Sequence, residues 1–129
     1  GEEDTIRQAL NCYRMELLKA AADHSCIFIG RCADYVLRDN PRCVNVFITA
    51  NMEDRIASVM KWNNCTAEKA QEIIEKGDSE RASFYNFYSS GTWGAASTYH
   101  LCINSSVLGI EETAVLIKNF VIQKLNLPQ

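Results

Sequence analysis

Three observations predict an α/β fold built on a parallel sheet. Apolar runs at residues 26–29, 43–48 and 99–104 are short and rich in Val, Ile and Phe, as strands are. The first is continuous rather than alternating, which suits a strand covered on both faces. Stretches with apolar residues at a 3.6 period separate the runs, and strands divided by helices form parallel sheets through right-handed crossovers. Helices on both sides of such a sheet give three layers.

The bounds are those of one domain over residues 1–129. Hydrophobic residues make up 47% and charged residues 22%, enough apolar surface for a core. With 13 basic and 16 acidic residues the net charge is -3, so no broad field draws the chain to nucleic acid or an anionic membrane. No apolar run approaches the roughly 20 residues of a membrane span. Gly1-Glu2-Glu3-Asp4 is acidic, unlike a signal peptide. Of the six cysteines, Cys26, Cys43 and Cys102 lie in strand-like runs, where a thiol packs as a small hydrophobe. There is no CxxC pair, and His24 and His100 have no zinc spacing. Reduced thiols, a cytoplasmic setting and no structural metal are expected.

In chain order, Asp4 or Thr5 caps a first helix carrying Ile6, Leu10, Tyr13 and Leu17, which ends near His24. The first strand, 26–29, stops at Gly30. A helix with Tyr35, Val36 and Leu37 follows and ends before Asn40-Pro41, because the residue ahead of proline avoids helical angles. After the second strand Asn51 caps a helix with Glu53 and Asp54 in its first turn and Ile56, Val59 and Met60 inward. Thr66 caps the next, 67–76, with Ala70, Ile73 and Ile74 inward and Gly77 as its left-handed end. Asp78 opens another, whose Phe84, Tyr85, Phe87 and Tyr88 are expected to pack the core and cover the sheet edge rather than stack on bases. A small-residue loop, 89–97, leads to the third strand. Gly109 precedes the last helix, with Ile110, Ala114, Ile117 and Val121 inward.

The polar residues at strand ends and helix starts are Arg31, Arg55, Asp78 and Arg81. Ligands of open α/β sheets sit beyond the carboxyl ends of the strands. Gly30 and Arg31 stand there, and Arg31 reads either as a phosphate or carboxylate contact or as one half of a surface ion pair. Asp78 and Arg81 are three apart, so the acid can orient the arginine toward a phosphate; they read equally as a helix cap beside an exposed arginine. No GxSxG and no GxxxxGK[ST] occurs, the six glycines being scattered.

The segments IFIGRCADYVLRDNP, VNVFITANMEDRIASVM, GDSERASFYNFYSSGTWG and YHLCINSSVLGIEETAVLI resemble the cytidylate kinase-like proteins of the P-loop nucleoside monophosphate kinase superfamily. The resemblance spans about residues 25–125. It implies a kinase transferring a phosphoryl group from ATP and Mg²⁺ to a nucleoside monophosphate. By position, Arg31 and Asp34 would bind the acceptor, and Arg55 would lie on the ATP side. Asp78 and Arg81 would be catalytic, with Arg81 reaching the transferring group. Residues 62–92 would form a helical lid-like insertion. Nucleotides are the implied partners, and an oligomer is left open. The alternative is a nucleotide- or protein-binding domain that keeps the scaffold without catalysis.

The chain departs from that pattern twice. Cytidylate kinases proper carry Asp after the Gly-Arg pair, where Cys32 stands here. The strand, glycine-rich phosphate loop and helix that open the family are absent from these 129 residues. The expected fold is therefore a P-loop kinase sheet that is incomplete without its N-terminal strand. Runs 26–29 and 43–48 should then lie about 10 Å apart, twice the roughly 4.8 Å of neighbouring strands, with further polypeptide filling the gap.

Overall fold

The computed structural model describes residues 1–2, 27–30 and 32–128. The first predicted helix and its end at His24, Cys12, Cys26 and Arg31 lie outside them. The chain divides into two units, Gly1–Cys43 and Val44–Gln129.

In the first unit, Gly30 and Cys32 adopt left-handed angles, φ 71° and 55°, and turn the chain into α1 (Ala33–Val36). The left-handed state costs a non-glycine residue about 1–2 kcal/mol. The Cys32 carbonyl offsets it by accepting from the N–H groups of Tyr35 (3.1 Å) and Val36 (3.0 Å). Ala33 and Val36 are buried, and Phe28 and Leu37 pack against them. Arg38 lies over the Tyr35 ring at 4.1 Å and donates to the Tyr35 carbonyl at 2.7 Å. Residues 27–29 form no strand, contrary to expectation, and Ile27 and Ile29 are about nine-tenths exposed (91% and 90%). An apolar run becomes a strand by pairing, and the described ladder contains two other segments.

That ladder, in the second unit, joins β1 (Val46–Thr49) and β2 (Leu101–Asn104) in parallel, in the register Val46 to Leu101 through Thr49 to Asn104. Both strands start later than the apolar runs do. Ahead of the ladder, the Asn45 N–H donates to His100 Nδ1 (3.0 Å) and the His100 N–H to the Asn45 carbonyl (3.0 Å). The first of these bonds goes to a side chain and the second runs between backbones, and together they join the two segments ahead of the regular rungs. Phe47 projects into an aromatic group, edge-on to Trp93 at 5.2 Å and tilted against Tyr99 at 4.9 Å; Tyr99 stacks in turn on Tyr85 at 6.2 Å.

Helix α2 (Met52–Asn63) follows β1 and packs on α3 (Ala67–Tyr88). Asn51 does not cap α2 with its side chain. Its Oδ1 instead accepts from Asn104 Nδ2 at 3.0 Å, tying the two strand ends together. Ile56 and Val59 are half-buried, but Met60 is exposed. Thr66 does cap α3, accepting from the Lys69 N–H at 3.2 Å. Ala70, Ile74 and Tyr85 form the buried stripe of α3, while Phe84 and Phe87 remain exposed.

The predicted break at Gly77 is absent. Gly77 and Asp78 lie inside one helix of 22 residues, so Gly77 is not a left-handed cap and Asp78 opens no helix. A helical glycine costs about 1 kcal/mol relative to alanine, a bias that one residue cannot turn into a break when both flanks are helix formers.

A 3₁₀ turn (Ala96–Thr98) precedes β2. Asn104 Oδ1 accepts from the Ser106 N–H at 2.9 Å and starts an unforeseen short helix, α4 (Ser105–Leu108). Gly109 (φ 87°) separates it from α5 (Ile110–Leu125). The buried position of α5 is Thr113; Ile117 and Val121 are half-buried, and Ile110 and Ala114 are exposed, which corrects the predicted inward set.

Thr113 is 3% exposed, and its Oγ1 has no hydrogen-bond partner among the described residues. A buried hydroxyl without a partner costs about 1–3 kcal/mol. Thr113→Val keeps the shape and removes the hydroxyl. It should raise stability by about 1 kcal/mol in a denaturant titration with an unchanged m value. No described helix is long and apolar enough to cross a membrane.

Candidate functional site

Helix α2 begins directly beyond the carboxyl end of β1, which puts Arg55 one turn into the helix at that edge. Continuity of α3 through Gly77 brings Asp78 alongside it. Arg55 Nη1 donates to Asp78 Oδ2 at 2.8 Å and Nη2 to Asp78 Oδ1 at 2.7 Å, a two-pronged ion pair between helices. Arg81, one turn along α3, donates from Nη1 to the same Oδ1 at 2.8 Å. One carboxylate thus holds two guanidinium groups.

The side chains of Arg55 and Asp78 are 29% and 27% exposed, that of Arg81 60%. The hydrogen bonds from Arg55, more than any other influence, hold the Asp78 carboxyl below the usual carboxylate range; partial burial opposes them, and Arg81 adds to them. The same contact raises Arg55. Two positive charges against one negative leave the cluster cationic. Arg81 Nε and Nη2 have no protein partner among the described residues, so the surplus charge is presented to solvent. A planar cation offering free donors suits the oxygens of a phosphate.

The structure therefore gathers three of the five predicted site residues: Arg55, Asp78 and Arg81. Asp34 lies in the first turn of α1, half-buried, in the other unit. Arg31 is outside the described residues. Sequence reasoning missed that Arg55 is tied to Asp78, 23 residues away, because no local spacing signals a contact between helices. It also missed the belt at the strand ends. There Ser105 Oγ donates to the Thr49 carbonyl (3.1 Å) and the Asn51 N–H to Ser106 Oγ (2.9 Å). The run Asn104-Ser105-Ser106 directly after a strand was the available signal.

No group of three His, Cys, Asp or Glu side chains that could hold a metal occurs among the described residues. Cys65 and Cys102 carry free thiols.

Residues 3–107 match the cytidylate kinase-like family. The chain belongs to that family. No curated protein matches it. Among solved structures it is similar to the crystal structure of an uncharacterized protein from Eubacterium ventriosum ATCC 27560, with a TM-score of 0.87 and 24% identity. That similarity covers 90% of this chain and 66% of the other, and at this identity it shows a shared fold. The family match reaches from ahead of Arg31 to the belt at Asn104-Ser105-Ser106, so all five candidate residues of this cytidylate kinase-like chain fall within it.

Proposed function

We propose that the intact protein is a phosphotransferase moving a phosphoryl group from ATP–Mg²⁺ to a nucleoside monophosphate. The observation that carries this reading is the Arg55–Asp78–Arg81 cluster, a cation held at the site by an acid that is itself held from a second helix. Membership of the cytidylate kinase-like family supports it.

Phosphoryl transfer asks little covalent chemistry of the protein. It needs alignment and positive charge where negative charge spreads over the transferring oxygens. Arg81 is the group for that charge, since its free donors face outward. Arg55 and Asp78 hold it, and the helical segment 62–92 would close over the nucleotides. Magnesium enters with the nucleotide phosphates as part of the substrate. Arg31 would grip the acceptor monophosphate, with Asp34 close behind it in sequence. The reading uses a P-loop kinase sheet whose glycine-rich phosphate loop these 129 residues do not carry.

Acceptor binding is the test of Arg31. By calorimetry with a panel of nucleoside monophosphates, Arg31→Ala should weaken the best acceptor by about tenfold, the loss of a charge-assisted contact worth roughly 1.5 kcal/mol. Its thermal unfolding should stay unchanged. Unaltered acceptor affinity would exclude Arg31 from acceptor binding.

A further inference from the structure

Gly77 lies in the middle of α3 at ordinary helical angles, so no turn accounts for a residue that forms helices so poorly. What lies over it does. A Cβ added at Gly77 would stand 3.1 Å from Arg81 Nη1, 3.2 Å from Nη2 and 3.4 Å from Cζ. The two terminal nitrogens are the nearest atoms, so the outer end of the guanidinium fork lies over the bare backbone. Nη1, the closest of them, is also the atom that donates to Asp78 Oδ1 at 2.8 Å.

We propose that Gly77 is a positioning residue: it is the seat on which Arg81 rests while Asp78 holds it, and it sets where that cation meets a phosphate. The proposal rests on the reading of Arg81 as a phosphate-binding arginine. A methyl group at residue 77 would crowd all three guanidinium atoms below the roughly 3.5–4.0 Å of ordinary contact. The crowded group ends a flexible, mostly exposed side chain, so the helix stays and the arginine moves. Moving it stretches and weakens the Nη1 bond to Asp78, 2.8 Å long at rest. The Arg55–Asp78 pair, which approaches from α2, is untouched. Arg81 then keeps its charge but is held less firmly, and an anion must immobilise it on binding.

The test is Gly77→Ala in the full-length protein, read three ways. Nitrogen-15 spectra of the arginine side chains report rotation about Nε–Cζ, with the Arg81 signal identified by its disappearance in Arg81→Ala. Hindered rotation in the wild type should become free in Gly77→Ala for Arg81, while the Arg55 signal stays as it was. The unfolding midpoint should rise by about 2–5 °C, because alanine favours the helix. Pyrophosphate, titrated as the probe anion, should bind about three- to tenfold more weakly. An Arg81 signal unchanged by Gly77→Ala overturns the seat. A released Arg81 with undiminished pyrophosphate affinity overturns its part in binding. Failure of the wild type to bind pyrophosphate overturns instead the phosphate reading of Arg81, a separate result from either.

Discussion

Arg81→Ala should lower turnover by about 10²–10³-fold, equivalent to roughly 3–4 kcal/mol of transition-state stabilisation. Acceptor affinity should fall by less than about threefold, since a charge that matters while the phosphoryl group is in transit contributes little to the ground state. The asymmetry follows from the geometry. Arg81 is the most exposed member of its cluster, and its unpartnered donors leave it able to meet a transferring group. Arg81→Lys keeps the charge but loses the planar fork, and should recover only part of the rate. Steady-state kinetics that separate kcat from KM check this, and equal losses in the two parameters would make Arg81 a binding residue.

Asp78→Ala should be the most damaging of the site substitutions for stability. It removes the acceptor of three hydrogen bonds and leaves two guanidinium groups facing each other across α2 and α3. The pair is partly exposed, so its loss should cost about 1–2 kcal/mol, below the 3–5 kcal/mol of a fully buried pair. Turnover should also fall, because Arg81 is no longer held. The acid dependence is set by the sign of the shift. The Arg55 hydrogen bonds lower the Asp78 carboxyl in the folded protein, so its contribution is complete above the unfolded value of about 3.9. It is lost as pH falls through the folded value. Stability measured from pH 6 downward should drop below pH 4 in the wild type, and this component of the drop should be missing in Asp78→Ala.

The alternation of apolar runs with helical periods announced an α/β chain, and the ladder of β1 with β2 is parallel as that alternation requires. Thr66 was legible as a cap because its hydroxyl acts on a residue three positions away. Gly77 was misread for the opposite reason. A glycine after a helical run looks like a terminus, and only the guanidinium of Arg81 lying across it gives another reason for its presence. The run 27–29 was read as a strand on composition, but composition cannot supply a ladder partner. Asp78 and Arg81 could be paired by their spacing. Arg55 could not, since its bond to Asp78 depends on how α2 packs on α3. Asn51 was assigned to the nearest helix start, where asparagine is favoured, yet its side chain bonds to Asn104 across the strand ends. The Thr66 cap and the Asp78–Arg81 pair were readable from local spacing; contacts between elements distant in sequence were not.

Turnover of ATP by the full-length protein against a panel of nucleoside monophosphates tests the central claim most directly. Phosphoryl transfer is predicted to appear with at least one acceptor, to require Mg²⁺, and to fall by about 10²–10³-fold in Arg81→Ala. Saturable nucleotide binding with no transfer to any acceptor would contradict it, and would make the protein a binding domain on a kinase-like scaffold.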